Sequence, residues 1–294
     1  MASNDFLAQQ FEQNRGHLRG VAYRMLGSLN EADDAVQESW LRLTRSDSSS
    51  IENLGGWLTT VVSRVCLDML RSRQSRREDA LEEGAPEPAA TPKPKMDPEQ
   101  EALLADSVGI ALLVVLDRLN PAERLAFVLH DLFDLPFDEI APILGRTSAA
   151  ARQLASRARR EVRGAPAPSH PSLSRQRTAV QSFLNALRAR DMEGLVAVLH
   201  PDLLVHVDAA AGAGGKAGEV HGARNWAGQA ITYARGVRFV EPMLIDGAAG
   251  LVLAPHGKVV RALRFVVVGD KIAEIEIIGD PNRLREMHFA VLPG

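Results

Sequence analysis

Residues 148–157 read SAAARQLASR. Wound as a helix, they turn Ser148, Arg152, Gln153, Ser156 and Arg157 away from a stripe of Ala151, Leu154, Ala155, Ala158 and Val162. Guanidinium and carboxamide groups suit guanine and adenine edges in a major groove, so the chemistry on offer is base recognition. Residues 146–163 hold six arginines against one glutamate, enough local charge to engage phosphates although the whole chain carries a formal charge of -3. A second basic run, RVCLDMLRSRQSRRE, contributes Arg64, Arg71, Arg73, Arg76 and Arg77. One basic face in each of two tethered helical units would grip two separated stretches of DNA.

A different chemistry is offered further on. His206, Asp208, His221 and Trp226 have the types that line a proton-transfer cavity, where an aspartate or histidine works next to a carbonyl. Against this, one cysteine and scattered histidines supply neither a nucleophile constellation nor metal-ligand spacing. No catalytic group, metal or cofactor is therefore expected, and a histidine in LVHVD reads first as a packed strand residue.

The elements that must position these groups follow from apolar spacing. In NEADDAVQESWLRL, Ala32, Ala35, Val36, Trp40 and Leu43 share a helical face, leaving Asp33, Asp34, Gln37 and Glu38 for water or a partner. A helix from about Leu54 to Arg73 turns Trp57, Leu58, Val61, Val65 and Leu70 inward. In NPAERLAFVLHDLF, Asn120 caps, Pro121 takes the first helical position and Glu123 stands where a capping-box acid belongs. A helix over 137–144, a turn at LGRT and a second helix from Ser148 to Arg160 make a helix-turn-helix, with Gly145 supplying the turn and Thr147 the cap. After about 174 come a helix, a shorter helix ending near His200, and then β-type segments, with one further helix in ARNWAGQAITYAR. In KIAEIEIIG, Ile272, Ile275 and Ile277 alternate against Glu274 and Glu276.

At 294 residues, with 46% hydrophobic and 24% charged side chains, the chain is globular and too long for one core. Residues 78–101 carry eight acids, two lysines and five prolines, which marks a linker. GAPAPSHPSL at 164–173 stops the basic helix. The expected units are 1–77, 102–163 and 174–294. The single Cys66 excludes an intramolecular disulfide and, in an apolar helical setting, reads as buried. The start MASNDFLAQQFEQ lacks an export pattern, and the longest apolar run, 108–116, is about half of the ~20 residues that span a bilayer, so no membrane partner is expected and the chain reads as cytoplasmic.

In order along residues 5–163, AYRMLGSLNEADDAVQESWLRL, GWLTTVVSRVCLDMLRSR, a linker, and LDRLNPAERLAFVLHDLFDLPFDEIAPILGRTSAAARQLASRARREV resemble a bacterial extracytoplasmic-function sigma factor. The resemblance implies binding to the RNA polymerase core, with Asp33, Asp34, Gln37 and Glu38 toward the β′ clamp. It also implies reading of the promoter -10 element over 53–73, with Asn53 near the loop that receives a flipped base. Reading of the -35 element falls to Thr147, Ser148, Arg152 and Gln153. The C-terminal third is similar to a SnoaL-like, ketosteroid-isomerase-like cone such as the SigJ-type subgroup carries. DAAAGAGGK, with Asp208, Gly214, Gly215 and Lys216, and GDPNRL, with Asp280, Pro281 and Asn282, are loose forms of that subgroup's motifs, and APEP at 85–88 is another.

The implied fold is multi-domain: two all-α sigma domains, the second with the helix-turn-helix, then an α+β cone with a curved, mostly antiparallel sheet. The implied function is promoter-directed transcription initiation, controlled in cis by the extension through contacts such as Lys216 with the acidic linker, or through a small molecule in an apolar pocket that His206 and Trp226 would line. The alternative is a DNA-binding regulator fused to a small-molecule-sensing or isomerase/cyclase domain.

Overall fold

The computed structural model describes residues 2–46, 51–82, 109–164 and 171–292. They fall into two compact units, Met1–Val108 with Arg118–Arg159, and Gly109–Asp117 with Arg160–Gly294. This grouping differs from the three units read from composition. Residues 118–159 pack with the N-terminal helices, and residues 109–117 join the C-terminal unit, where the left-handed Gly257 (φ 72°) lies so close to Leu113 that an added Cβ would fall 2.6 Å from that residue's Cβ. The linkers expected at 78–101 and 164–173 lie largely outside the described residues, at 83–108 and 165–170.

The first unit is helical. Helices α1 (Ala2–Leu26), α2 (Leu29–Arg45) and α3 (Leu54–Glu82) bury Leu18, Val21, Ala32, Val36, Leu58 and Val62 among themselves. Each large side chain so buried stabilises the unit by roughly 1.5–3 kcal/mol. Ser39 and Thr59 enter this interior by donating to the Ala35 and Gly55 carbonyls, at 2.8 Å in both cases, so their hydroxyls carry no desolvation cost. Trp40, expected inside, is only half-buried and packs its ring 5.0 Å from Phe11.

The chain continues through α4 (Ile110–Arg118), α5 (Pro121–Phe127), a π-helical turn at Val128–Leu132, α6 (Phe137–Leu144) and α7 (Ser148–Arg163). Asn120 caps α5 as expected, its side chain accepting from the Glu123 N–H at 2.9 Å. From α5, Arg124 reaches α1. It is 2% exposed, and Nε and Nη2 donate to the Arg24 carbonyl at 3.2 and 3.1 Å. That carbonyl belongs to the last turn of α1, where carbonyls lack helical partners and the dipole favours a cation. Phe133 closes over the same spot, 5.2 Å edge-on from His17 and 5.1 Å from the Arg24 guanidinium.

The C-terminal unit lays α8 (Pro171–Ala189), α9 (Met192–Val198) and α10 (Ala223–Tyr233) against a seven-stranded sheet in the order β2-β1-β6-β5-β4-β3-β7. The strands are β1 (Leu199–Val207), β2 (Gly218–His221), β3 (Val240–Ile245), β4 (Ala248–Leu253), β5 (Arg261–Val268), β6 (Lys271–Ile278) and β7 (Phe289–Val291), with α11 (Pro281–Glu286) before the last. All pairings are antiparallel except β1 with β6. Phe183, Leu184, Val205, Leu251, Phe265 and Ile275 meet in the core between helices and sheet. Helices followed by a mostly antiparallel sheet are the plan the sequence predicts.

One strand departs from its expected pattern. Ile272 and Ile275 are both fully buried although three residues apart, which strict alternation forbids. Between Val266↔Glu274 and Val267↔Ile272 the register shifts, so Ala273 is the extra residue of a β-bulge that returns Ile272 to the core face.

Candidate nucleic-acid interface

The helix-turn-helix is built by its ends. Gly145 adopts φ 65°, ψ 39° and its N–H closes on the Ala141 carbonyl, ending α6 in the left-handed conformation that glycine takes at least cost. Thr147 then caps α7, its hydroxyl accepting from the Ala150 N–H at 3.2 Å. Ala151, Ala155 and Ala158 are fully buried, and their small size lets α7 lie close on its neighbours. Leu154 and Val162, expected with them, are half-buried.

The opposite face carries the expected readers. Arg152, Gln153, Ser156 and Arg157 are exposed, as are Thr147 and Ala149, and Ser148 is half-buried. The first turn of α6 touches two of them. Ser148 donates its hydroxyl proton to Asp138, and the Arg152 guanidinium carbon lies 5.3 Å from the Phe137 ring centroid. Behind Phe137, the His130 ring stacks at 3.9 Å and 29°, with Nδ1 2.9 Å from the Leu135 carbonyl. Arg159 is taken by Asp131 at 2.5 Å.

The basic cluster on α3 is less uniform. Arg64, Arg71 and Arg76 are exposed, Arg64 within 3.4 Å of the Pro142 carbonyl and Arg76 donating to the Ser72 carbonyl at 3.2 Å in its own helix. Arg73, expected on the DNA face, turns inward. It pairs with Glu31 and donates to the Leu26 carbonyl at 3.4 Å, because the end of α1 and the start of α2 offer an acid and a free carbonyl within its reach. The Arg77 side chain lies outside the described residues. Asn53 is exposed and caps α3, accepting from the Gly56 N–H at 3.0 Å.

On α2, Asp34 and Gln37 are exposed, whereas Asp33 is held by Arg19 at 2.8 Å and Glu38 by Arg42 at 2.9 Å. Cys66 is fully buried, and desolvation pushes its thiol up to about 12, which removes thiolate chemistry.

In the C-terminal unit the four residues expected around one cavity are not brought together. Trp226 lies in the core, 8% exposed, and its indole N–H has no partner among the described residues. His206 alternates with buried Val205 and so faces away from that core, into an open cleft beside Arg264, Glu274 and Glu276, with Nδ1 3.2 Å from Glu219. His221 is exposed at the end of β2, 3.7 Å from the same glutamate.

Asp208 instead unites the two loop motifs. Its carboxylate accepts from the Ala211 N–H at 2.8 Å and from the Gly279 and Asp280 N–H groups at 2.9 Å each. Desolvation works to raise its pKa, but these backbone donors and Arg283 outweigh it and hold the carboxyl below its ordinary value. Gly279 is required there, since an added Cβ would lie 2.8 Å from the Ala211 nitrogen. Asp280 caps α11 through the Asn282 and Arg283 N–H groups, Pro281 takes its first position, and Asn282 accepts from Arg285 at 2.7 Å. These three residues are therefore engaged locally. Gly214 and Gly215 take positive φ of 67° and 71°, leaving Lys216 exposed, and the acidic stretch expected to meet Lys216 lies largely outside the described residues.

Among the described residues no helix is long and apolar enough to cross a membrane. Two family profiles match, Sigma-70 region 2 over residues 10–76 and Sigma-70, region 4 over 110–162. The ECF RNA polymerase sigma factor SigJ of Mycobacterium tuberculosis is 44% identical over 201 residues, which are 66% of this chain and 62% of that protein. A probable ECF RNA polymerase sigma factor, SigI, of the same species is 35% identical over 212 residues, 72% of this chain and 73% of that protein. The crystal structure of the Mycobacterium tuberculosis SigJ aligns with 94% of this chain and 98% of its own, at 32% identity and a TM-score of 0.45.

Proposed function

The chain belongs to the family of ECF RNA polymerase sigma factors, and from that premise we propose that it binds the polymerase core and directs it to particular promoters. In this reading α7 enters the major groove of the -35 element. There Arg152 and Gln153 meet base edges and Arg157 meets phosphate. The exposed Arg64, Arg71 and Arg76 of α3 lie along the -10 element, and Asn53 stands at the mouth of the loop that accepts a flipped base. Asp34 and Gln37, exposed on α2, face the β′ clamp. The protein acts in the cytoplasm and is not an enzyme. The observation that carries the reading is the arrangement at the turn: a left-handed Gly145 and a Thr147 cap present the N-terminal half of α7 with its polar side chains outward.

Run-off transcription with purified core tests it. Full-length protein supports initiation at a subset of genomic promoters, and Arg152→Ala reduces it at those promoters. An assembled holoenzyme that initiates nowhere overturns the reading.

We further propose that the C-terminal unit controls this activity in cis through the paired loops at Asp208 and the exposed Lys216. Lys216→Glu then alters run-off yield while leaving core-independent DNA binding unchanged; equal yields from both proteins count against it. The rival reading, a regulator that never meets polymerase, predicts no capture of core by the full-length chain. Its isomerase or cyclase version draws no support from geometry, because His206 and Trp226 occupy opposite faces of the sheet layer.

A further inference from the structure

Two consecutive residues at the start of α6 each engage one would-be reader of α7. Phe137 lies against Arg152, and Asp138 accepts from Ser148, so the contacts fall at positions i and i+4 on the outer face of the recognition helix. Resting on the function proposed above, we propose that Phe137, backed by His130, is a positioning residue that sets base specificity by fixing the direction of the Arg152 guanidinium.

The physical need is plain. Arginine has a long, rotamer-rich side chain, and bidentate pairing with a guanine edge requires its planar fork in one orientation. An exposed guanidinium free to wander still neutralises phosphate but discriminates poorly. An aromatic face near the guanidinium attracts it, and because Phe137 is apolar it restrains Arg152 without competing for the N–H donors that must meet the base. His130 supports the ring from behind. It stacks on Phe137 at 3.9 Å, and the Leu135 carbonyl 2.9 Å from Nδ1 fixes the imidazole in turn. The π-helical turn Val128–Leu132 and the left-handed Asp134 (φ 54°) bring that carbonyl back toward the ring. In the sequence Phe137 stands out only as the first residue of a supporting helix.

The test uses holoenzyme assembled from core polymerase and the full chain, with competition binding to promoter duplexes permuted at each -35 base pair. Arg152→Ala identifies the position that Arg152 reads. At that position Phe137→Leu lowers the preference for the favoured base about fivefold, leaves the other positions and the salt dependence unchanged, and keeps the melting temperature. Phe137→Tyr, which retains the ring, restores the preference. An undiminished preference in Phe137→Leu, or an equal loss at every position together with lost stability, overturns the assignment. If Arg152→Ala itself leaves every preference intact, the fault lies with the reading of α7 as the -35 reader.

Discussion

In α7, Arg152, Arg157 and Arg160 lie exposed along the outer face, whereas in α3 Arg73 reaches back to Glu31 and the Leu26 carbonyl. Both helices show the same run of cations in sequence. The difference comes from what stands beside them. α3 runs past the end of α1, which presents carbonyls without helical partners and an acid one turn further on. α7 meets a ring and a carboxylate at the start of α6, and among the described residues Arg159 alone of its arginines pairs with an acid. Local charge thus locates a candidate DNA face, and the neighbouring helix ends decide how much of it remains available.

The contrast has measurable edges. The largest effect is expected for Arg152→Ala, which costs about 1–3 kcal/mol of discrimination at one -35 base pair with little change in folding stability, read by competition binding. Next, Arg73→Ala lowers the unfolding free energy by about 1–2 kcal/mol in urea titrations, and Glu31→Ala adds less than its own separate cost because the two share one interaction. Should Arg73→Ala instead weaken DNA binding at unchanged stability, the distinction between the helices is lost. Arg157→Ala weakens binding to all sequences alike, by roughly 0.5–1 kcal/mol, and lowers the salt slope by about 0.9. Smallest is the response of Cys66 on the inner face of α3. Native protein at pH 8 does not react with iodoacetamide, and full labelling requires denaturant. Its raised thiol also fixes a sign, since the unfolded thiol ionises above the ordinary value of 9.0 while the folded one stays neutral to about 12, so the unit loses stability as pH rises through that window.

The features that sequence conveys most directly are those built from a residue and its near neighbours. Asn120, Thr147 and Gly145 announce two helix starts and a turn, and each makes the expected bond. The alanine stripe of α7 and the helices-then-sheet order are equally local signals. Illegible features depend on partners far along the chain. The Ala273 bulge is visible only against β5, and the parallel pairing of β1 with β6 joins strands some 70 residues apart. Nothing near Asp208 predicts that it will hold Gly279 and Asp280, 71 and 72 positions away. His206 illustrates the same limit for the candidate cavity, because its type suggests chemistry but the side of the sheet it occupies is set by the register of β1.

The hold of Arg124 on the last turn of α1 carries a geometric consequence for promoter engagement. A compact body of about 150 residues has a radius of gyration near 15 Å and so measures roughly 40 Å across. Elements centred 35 and 10 base pairs upstream of a start site lie about 85 Å apart along the duplex. On the function proposed above, occupying both at once requires the contacts of Arg124 and Phe133 with α1 to break. Breaking that hold hands a guanidinium that is 2% exposed and the α1 carbonyl back to water.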